Sequence, residues 1–299
     1  MDKKTFKDLI KKLRRYEVKV RNAITNQMQG DFHSVFKGSG ITFDDLRVYQ
    51  YGDDVRNIDW NASAKGHDVY IKTYREEREQ MVYLILDVSA SQEIGERGRQ
   101  KVDIGKEICG VLALSAVKET SQVGLLCYSD QKELFTKPGK GIAHAYNLIA
   151  SMYDLKPASL KTNLNGAMSY FMNIVKRRGI VILVSDFIDT GYHRNLRSLA
   201  GKHDLVVIHL HDKRESALPS LGIIPVEDKE SRKTVWVNSS SMIFRNQVNN
   251  VYQQNVELLE TFCRQRGASY LNVDTREDFV PKLVDLFKFR NKTRKPRAR

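Results

Sequence analysis

The chain has 299 residues, of which 41% are hydrophobic and 28% charged, and a formal net charge of +13. That is a folded composition, long enough for one large domain or for a domain of about 200 residues with a smaller piece attached, and it excludes a disordered chain. No apolar run approaches the roughly 18 residues that cross a bilayer, and the basic start MDKKTFKDLIKKLRRYEVKV has neither the apolar core nor the cleavage site of a secretory signal; a cytoplasmic protein, at most peripheral to the inner membrane, is expected.

Phe6, Leu9, Ile10, Leu13, Val20 and Ile24 recur at helical spacing among lysines and arginines, which predicts a basic amphipathic helix over about residues 4–28. Its stripe is narrow and contains no Trp, which favours packing on the following domain over lying on a membrane. Residues 29–80 carry turns at Gly30, Gly38 and Gly40; Lys37-Gly38-Ser39-Gly40 lacks the GK[ST] ending of a phosphate loop. Asp53, Asp54, Arg56, Asp59 and Trp60 are expected to build a fixed turn, with Arg56 paired to a carboxylate and Trp60 packed inward. Val69, Ile71 and Thr73 alternate as a strand, and residues 76–79 lead on towards the next one.

Met81 to Leu86 is an unbroken apolar run, the pattern of a buried parallel strand, and it ends in Asp87, Ser89 and Ser91. A helix over about 100–118 follows. After it come a strand at Gln122–Tyr128, an edge strand at 133–136, a turn at 138–141, a helix to about 153 and a helix over 164–176 capped by Thr162 or Asn163. Residues 179–186 form a second buried strand ending in an acid, and LVVIHL at 205–210 a third, with a helix near 192–200 between them. A hairpin around 234–237, a long helix over 241–265, the strand ASYLNV and a helix over 277–288 complete an α/β sheet with helices on both faces.

The three cysteines, Cys109, Cys127 and Cys263, are too widely spaced for a zinc site or disulfide framework and read as buried thiols. Positive charge gathers in KKLRR and in the tail KFRNKTRKPRAR; this leaves nucleic acid open as a partner, although no nucleic-acid module is present. His209, His211 and Asp212 could hold a metal, but nothing nearby supplies the rest of a shell, and a strand-end pair without ligand is the expected state.

Asp87, Ser89, Ser91, Thr162 and Asp186 form the candidate site. Two acids end two strong strands, and Thr162 sits in a loop that can reach the same sheet edge. Carboxylates and hydroxyls are hard ligands that suit Mg²⁺ or Mn²⁺. The alternative from the residues alone is two strand-end aspartates with local caps and no ion.

The stretch Tyr51-Gly52-Asp53-Asp54-Val55-Arg56-Asn57-Ile58-Asp59-Trp60, with Ser63 and Ala64, and the set Asp87-x-Ser89-x-Ser91, Thr162 in KTNL and Asp186 in VSDF resemble the family known as domain of unknown function 58. The resemblance runs from about Phe36 to Phe289. It implies a Rossmann-like three-layer von Willebrand factor A-like domain with a mostly parallel sheet over 81–289, preceded by an N-terminal helix (1–28) and a family-specific segment packed on the core (29–80), and followed by a basic tail (290–299). It also implies that the five residues make a metal-ion-dependent adhesion site. Gln92 stands where many relatives have Met, and Lys161 where Gly is usual; neither removes a ligand. Family members are often encoded beside MoxR-type AAA+ ATPases, so the resemblance implies a protein-binding module that uses Mg²⁺ to grip an acidic residue of such an ATPase or its client, in protein assembly or maturation. A metal-dependent hydrolase or phosphotransferase is the alternative, although aspartate-based phosphatases need an acid where Ser89 stands. No catalytic residue is assigned.

Overall fold

The computed structural model describes residues 3–25, 41–66, 68–76, 80–96, 98–119, 121–216 and 219–293. The glycine turns at Gly30, Gly38 and Gly40, residues 77–79 and the tail beyond residue 293 lie outside them.

Three layers are built around a six-stranded sheet. Helix α1 (Lys3–Thr25) and the antiparallel pair β1 (Ile41–Val48) and β2 (Tyr70–Glu76) precede the core. The core opens with β3 (Met81–Asp87) and continues through α2 (Lys101–Lys118), β4 (Gln122–Tyr128), β5 (Lys132–Gly139), α3 (Gly141–Asp154) and α4 (Leu164–Ile174). It returns as β6 (Ile180–Ser185), α5 (His193–Lys202) and β7 (Asp204–His211). A hairpin of β8 (Ile223–Glu227) and β9 (Thr234–Asn238), the long α6 (Met242–Arg266), β10 (Ser269–Asp274) and α7 (Phe279–Thr293) follow. The helix expected to end at 288 runs on to Thr293, and Arg290, buried within it, pairs with Asp204 at 2.5 Å.

The sheet order is β10-β7-β6-β3-β4-β5. All pairings are parallel except β4 with β5, the antiparallel edge strand that carries Pro138. Successive side chains of a strand face opposite ways, and β3 shows the result. Val82, Leu84 and Leu86 enter a core shared with α1, α2, α3 and α7, whereas Tyr83 and Ile85 enter the other, shared with α4, α5 and α6. Both faces are covered, which is why β3, β4, β6 and β7 read as continuous apolar runs. The chain leaves β3 for β4 on one side and later returns to β6 on the other. The crevice between the carboxyl ends of β3 and β6 is therefore the topological switch point, where open α/β sheets bind ligands.

The apolar stripe of α1 is spent on the core. Leu13 and Val20 are buried, Phe6, Leu9, Ile10 and Tyr16 pack beside them, and Leu13 Cδ1 lies 2.8 Å from where a Cβ on Gly110 of α2 would stand. Gly110 thus lets the two helices approach closely. Glu17, fully buried, accepts from Lys118 and Arg21. Leu13→Ala is expected to lower stability by about 3 kcal/mol in urea unfolding, as for other Leu→Ala changes that leave a core cavity; a loss under about 1 kcal/mol would show that α1 is not integral to the core.

Trp60 was expected to pack inward, but it is 69% exposed. The segment satisfies itself instead. Asp59 caps the short helix at Trp60–Ser63 by accepting from Asn61 N and Ala62 N, the Ser63 hydroxyl donates to Asp59 O and accepts from Tyr70 N, and Asp53 is held by Arg47 through two hydrogen bonds of 2.9 and 2.6 Å. Arg56 does pair with a carboxylate, Asp54, but at 3.7 Å and in solvent, where such a pair contributes little.

Candidate metal centre

Four of the five expected residues meet at the switch point. Asp87 ends β3, and the turn that follows folds Ser89 back on it: Ser89 N and Ser89 Oγ both donate to Asp87 Oδ1, at 3.0 and 2.7 Å. Ser91 Oγ lies 3.0 Å from Ser89 Oγ and bonds onward to Asp186. Asp186 follows the last residue of the adjacent strand β6, so strand pairing brings the two carboxyls side by side. The turn is held in place from both sides, by Val88 N on Tyr128 O and by Ala90 N on Leu160 O, each at 2.9 Å.

Three further groups complete the site. Ser185 Oγ and Gln92 Nε2 donate to Asp87 Oδ2, at 2.8 and 3.2 Å. Gln92, noted above only as a departure from the family pattern, is thus part of the site, and its Oε1 is buried without a hydrogen-bond partner. The third is Lys101. Its ammonium is fully buried, 2.7 Å from Asp186 Oδ2 and 2.6 Å from Glu215 Oε1. One signal could have found it: Lys101 is the first residue of α2, and a cation in a first turn opposes the helix dipole unless something nearby holds it.

Thr162 is placed differently. It does not cap α4, a role taken by Asn163, whose Oδ1 accepts from Gly166 N. Thr162 N and Oγ1 instead both donate to the Glu230 carboxylate, which comes from the β8–β9 turn. The loop bearing Thr162 is nevertheless tied to the same crest, through Leu160 O and through Asn163 N on Ser129 O at 3.1 Å.

The electrostatics of the two acids diverge. Burial and the neighbouring charge of Asp186 push the Asp87 carboxyl up to about 6, against neutral hydrogen bonds from the Ser89 hydroxyl and amide and the Ser185 hydroxyl. Asp186 is buried as deeply, but Lys101 beside it holds its carboxyl below the usual range. Phe187, immediately after it, adopts φ 55°, a left-handed conformation that is strained for a bulky residue. Phe187 N bonds Ser185 Oγ and Ile188 N bonds Asp186 Oδ1, so the strain sits in the turn that aims the second acid.

Asp186 and Glu215 share one ammonium, and among the described residues Asp87 is paired with no cation. Among the described residues no three His, Cys, Asp or Glu side chains gather as a metal cluster, so an ion here depends on hydroxyl ligands. Two carboxylates with serine hydroxyls and surplus negative charge fit a hard divalent cation such as Mg²⁺ or Mn²⁺. His209 meets the site through a hydrogen bond to the Asp186 backbone. His209 Nδ1 is 2.8 Å from the Tyr270 hydroxyl, and burial lowers the imidazole to about 4; His211 lies 3.6 Å from Asp274. Beside the site an open cavity of about 690 Å³ runs along α6, lined by Ile188, Val251, Tyr252 and Leu258, with Asp186 and Glu215 at its margin.

Among the described residues no helix is long and apolar enough to cross a membrane. The uncharacterized protein Rv1480 of Mycobacterium tuberculosis is 26% identical over 222 residues, which cover 73% of this chain and 70% of that protein. Similar solved structures include the conserved hypothetical protein BatB from Bacteroides thetaiotaomicron (TM-score 0.45, 11% identity, 72% of this chain and 100% of that one) and the SpRpn10 VWA domain (TM-score 0.36, 10% identity, 70% and 93%). The sequence profile of the family described as Protein of unknown function DUF58 matches residues 45–257, most of the chain, and the protein belongs to that family.

Proposed function

We propose that the protein is a metal-dependent protein-binding module that grips an acidic residue of a partner, a MoxR-type AAA+ ATPase or its client, in protein assembly or maturation. The observation that carries the reading is the pairing of two strand-end aspartates at the switch point, one neutralised by Lys101 and the other, Asp87, met among the described residues by neutral donors only. Asp87, Ser89, Ser91 and Asp186 would hold Mg²⁺ or Mn²⁺, with Thr162 a fifth ligand once released from Glu230. The ion supplies an open position for a carboxylate from outside, since Mg²⁺ is seldom enclosed by protein alone. The apolar cavity beside the crest gives such a partner a surface to bury.

Hydrolysis or phosphotransfer through Asp87 fits the geometry less well. Aspartate-based phosphatases need a second acid two residues after the nucleophile, and Ser89 stands there.

A pull-down of a MoxR-type AAA+ ATPase from the same organism tests the proposal, run in Mg²⁺ and in EDTA, with Asp87→Ala as control once its circular dichroism matches wild type. Capture should fall about tenfold or more in EDTA and with Asp87→Ala, a change of at least 1.4 kcal/mol. Capture indifferent to both would remove the ion from the interface.

A further inference from the structure

Thr162 belongs to the expected ligand set, yet its amide and hydroxyl are both given to one carboxylate from 68 residues away. Glu230 sits at the tip of the β8–β9 hairpin. The turn is built to present it: Asp228 N and Lys233 O close the loop at 2.9 Å, Arg232 takes the left-handed φ of 58°, and Asp228 Oδ1 accepts from Glu230 N at 3.1 Å. The strands behind the turn are not held by burial, since the side chains of Ile223, Val235 and Trp236 are exposed. A projecting hairpin with a rigid tip thus delivers a carboxylate to the loop at the crest. Lys229, Arg232 and Lys233 flank it, an arrangement that draws in an acidic segment from solution.

We propose that Glu230 is the chain's own stand-in for the partner's carboxylate, held on Thr162 beside the site by the β8–β9 hairpin until an acidic residue of the partner displaces it. This rests on the ion-gripping reading given above. An internal carboxylate raises ion affinity while no partner is present, because affinity for hard cations follows the number of charged ligands. It also lowers the apparent affinity for an external carboxylate, which must first displace it.

The two effects have opposite signs, and this makes the test specific. Mn²⁺ binding to the full chain is measured by the paramagnetic resonance of the free ion, for wild type, Asp87→Ala and Glu230→Gln. Acetate is then titrated into each Mn²⁺-loaded protein while water-proton relaxation is followed. Glu230→Gln keeps an oxygen that can accept from Thr162 but removes the charge. It should weaken Mn²⁺ about tenfold and strengthen acetate about tenfold, each about 1.4 kcal/mol. Mn²⁺ binding that Asp87→Ala removes, with either the Mn²⁺ or the acetate affinity unchanged in Glu230→Gln, overturns the stand-in and leaves the ion reading intact. Mn²⁺ binding seen only in Glu230→Gln would make Glu230 a blocker and also overturns the proposal. No Mn²⁺ binding by any of the three proteins overturns both readings.

Discussion

Lys101→Met should destabilise the protein by about 3–5 kcal/mol, seen as a lower urea midpoint with little change in slope. The ammonium is fully buried and is the cation that both Asp186 and Glu215 contact. A methionine fills much the same space, so the loss comes from charge and not from a cavity. Two carboxylates would be left buried beside a third, Asp87. The burial of Lys101 opposes its charge, but the two neighbouring acids outweigh that and hold its pKa above the ordinary value. Adding Asp186→Asn and Glu215→Gln to Lys101→Met should restore much of the stability, because the two carboxylates that the ammonium held are then neutral. A loss below about 1 kcal/mol for Lys101→Met alone would mean that water reaches the cluster and screens it.

Asp87→Asn should act in the opposite direction in metal-free protein. The folded-state pKa of Asp87, about 6, stands above its ordinary 3.8, so the folded chain holds this proton more tightly than the unfolded chain does. Its contribution is most favourable below pH 4, declines as the pH rises from about 4 to about 6, and is fully unfavourable at pH 7, by up to about 3 kcal/mol. The amide removes that penalty. Gln92 can turn its partnerless Oε1 towards the new N–H group, which gives that donor an acceptor. Without metal at pH 7, Asp87→Asn should therefore be more stable than wild type by about 2 kcal/mol, with the difference vanishing near pH 4. Asp186, lowered by Lys101, titrates with the reverse sign, but it is common to both proteins and largely cancels. Millimolar Mg²⁺ should raise the melting temperature of wild type and leave that of Asp87→Asn unchanged. Equal stability of the two proteins at pH 7 in EDTA would show that Asp87 already has a compensating cation.

The strand ends were legible in the sequence because a strand buried on both faces has to be apolar throughout, so the first acids after such runs, Asp87 and Asp186, stand out. Their adjacency was less secure; it depends on the chain crossing from β5 back past β3, which local pattern does not encode. Lys101 was missed because its place against the helix dipole says only that something must hold it and not what. Its two partners lie 85 and 114 residues away. Glu230 was hidden for the same reason, in a polar turn whose composition suggests only solvent. Trp60 misled because a tryptophan in a short polar segment suggests an anchor, whereas Asp59, Ser63 and Tyr70 tie that segment through the backbone.

The antiparallel edge strand limits how this molecule can be recognised. Many sheets are read by strand addition, in which a visitor continues the ladder and is held by main-chain bonds. Pro138 in β5 has no N–H to offer, and Lys132 and Lys137 place charges along the same border. Such a border resists a lengthening ladder, whether from a client or from another copy of the chain. Along this border affinity must then come from individual side chains seated one by one, so a single changed residue in a visitor would abolish recognition where a ladder would have tolerated it.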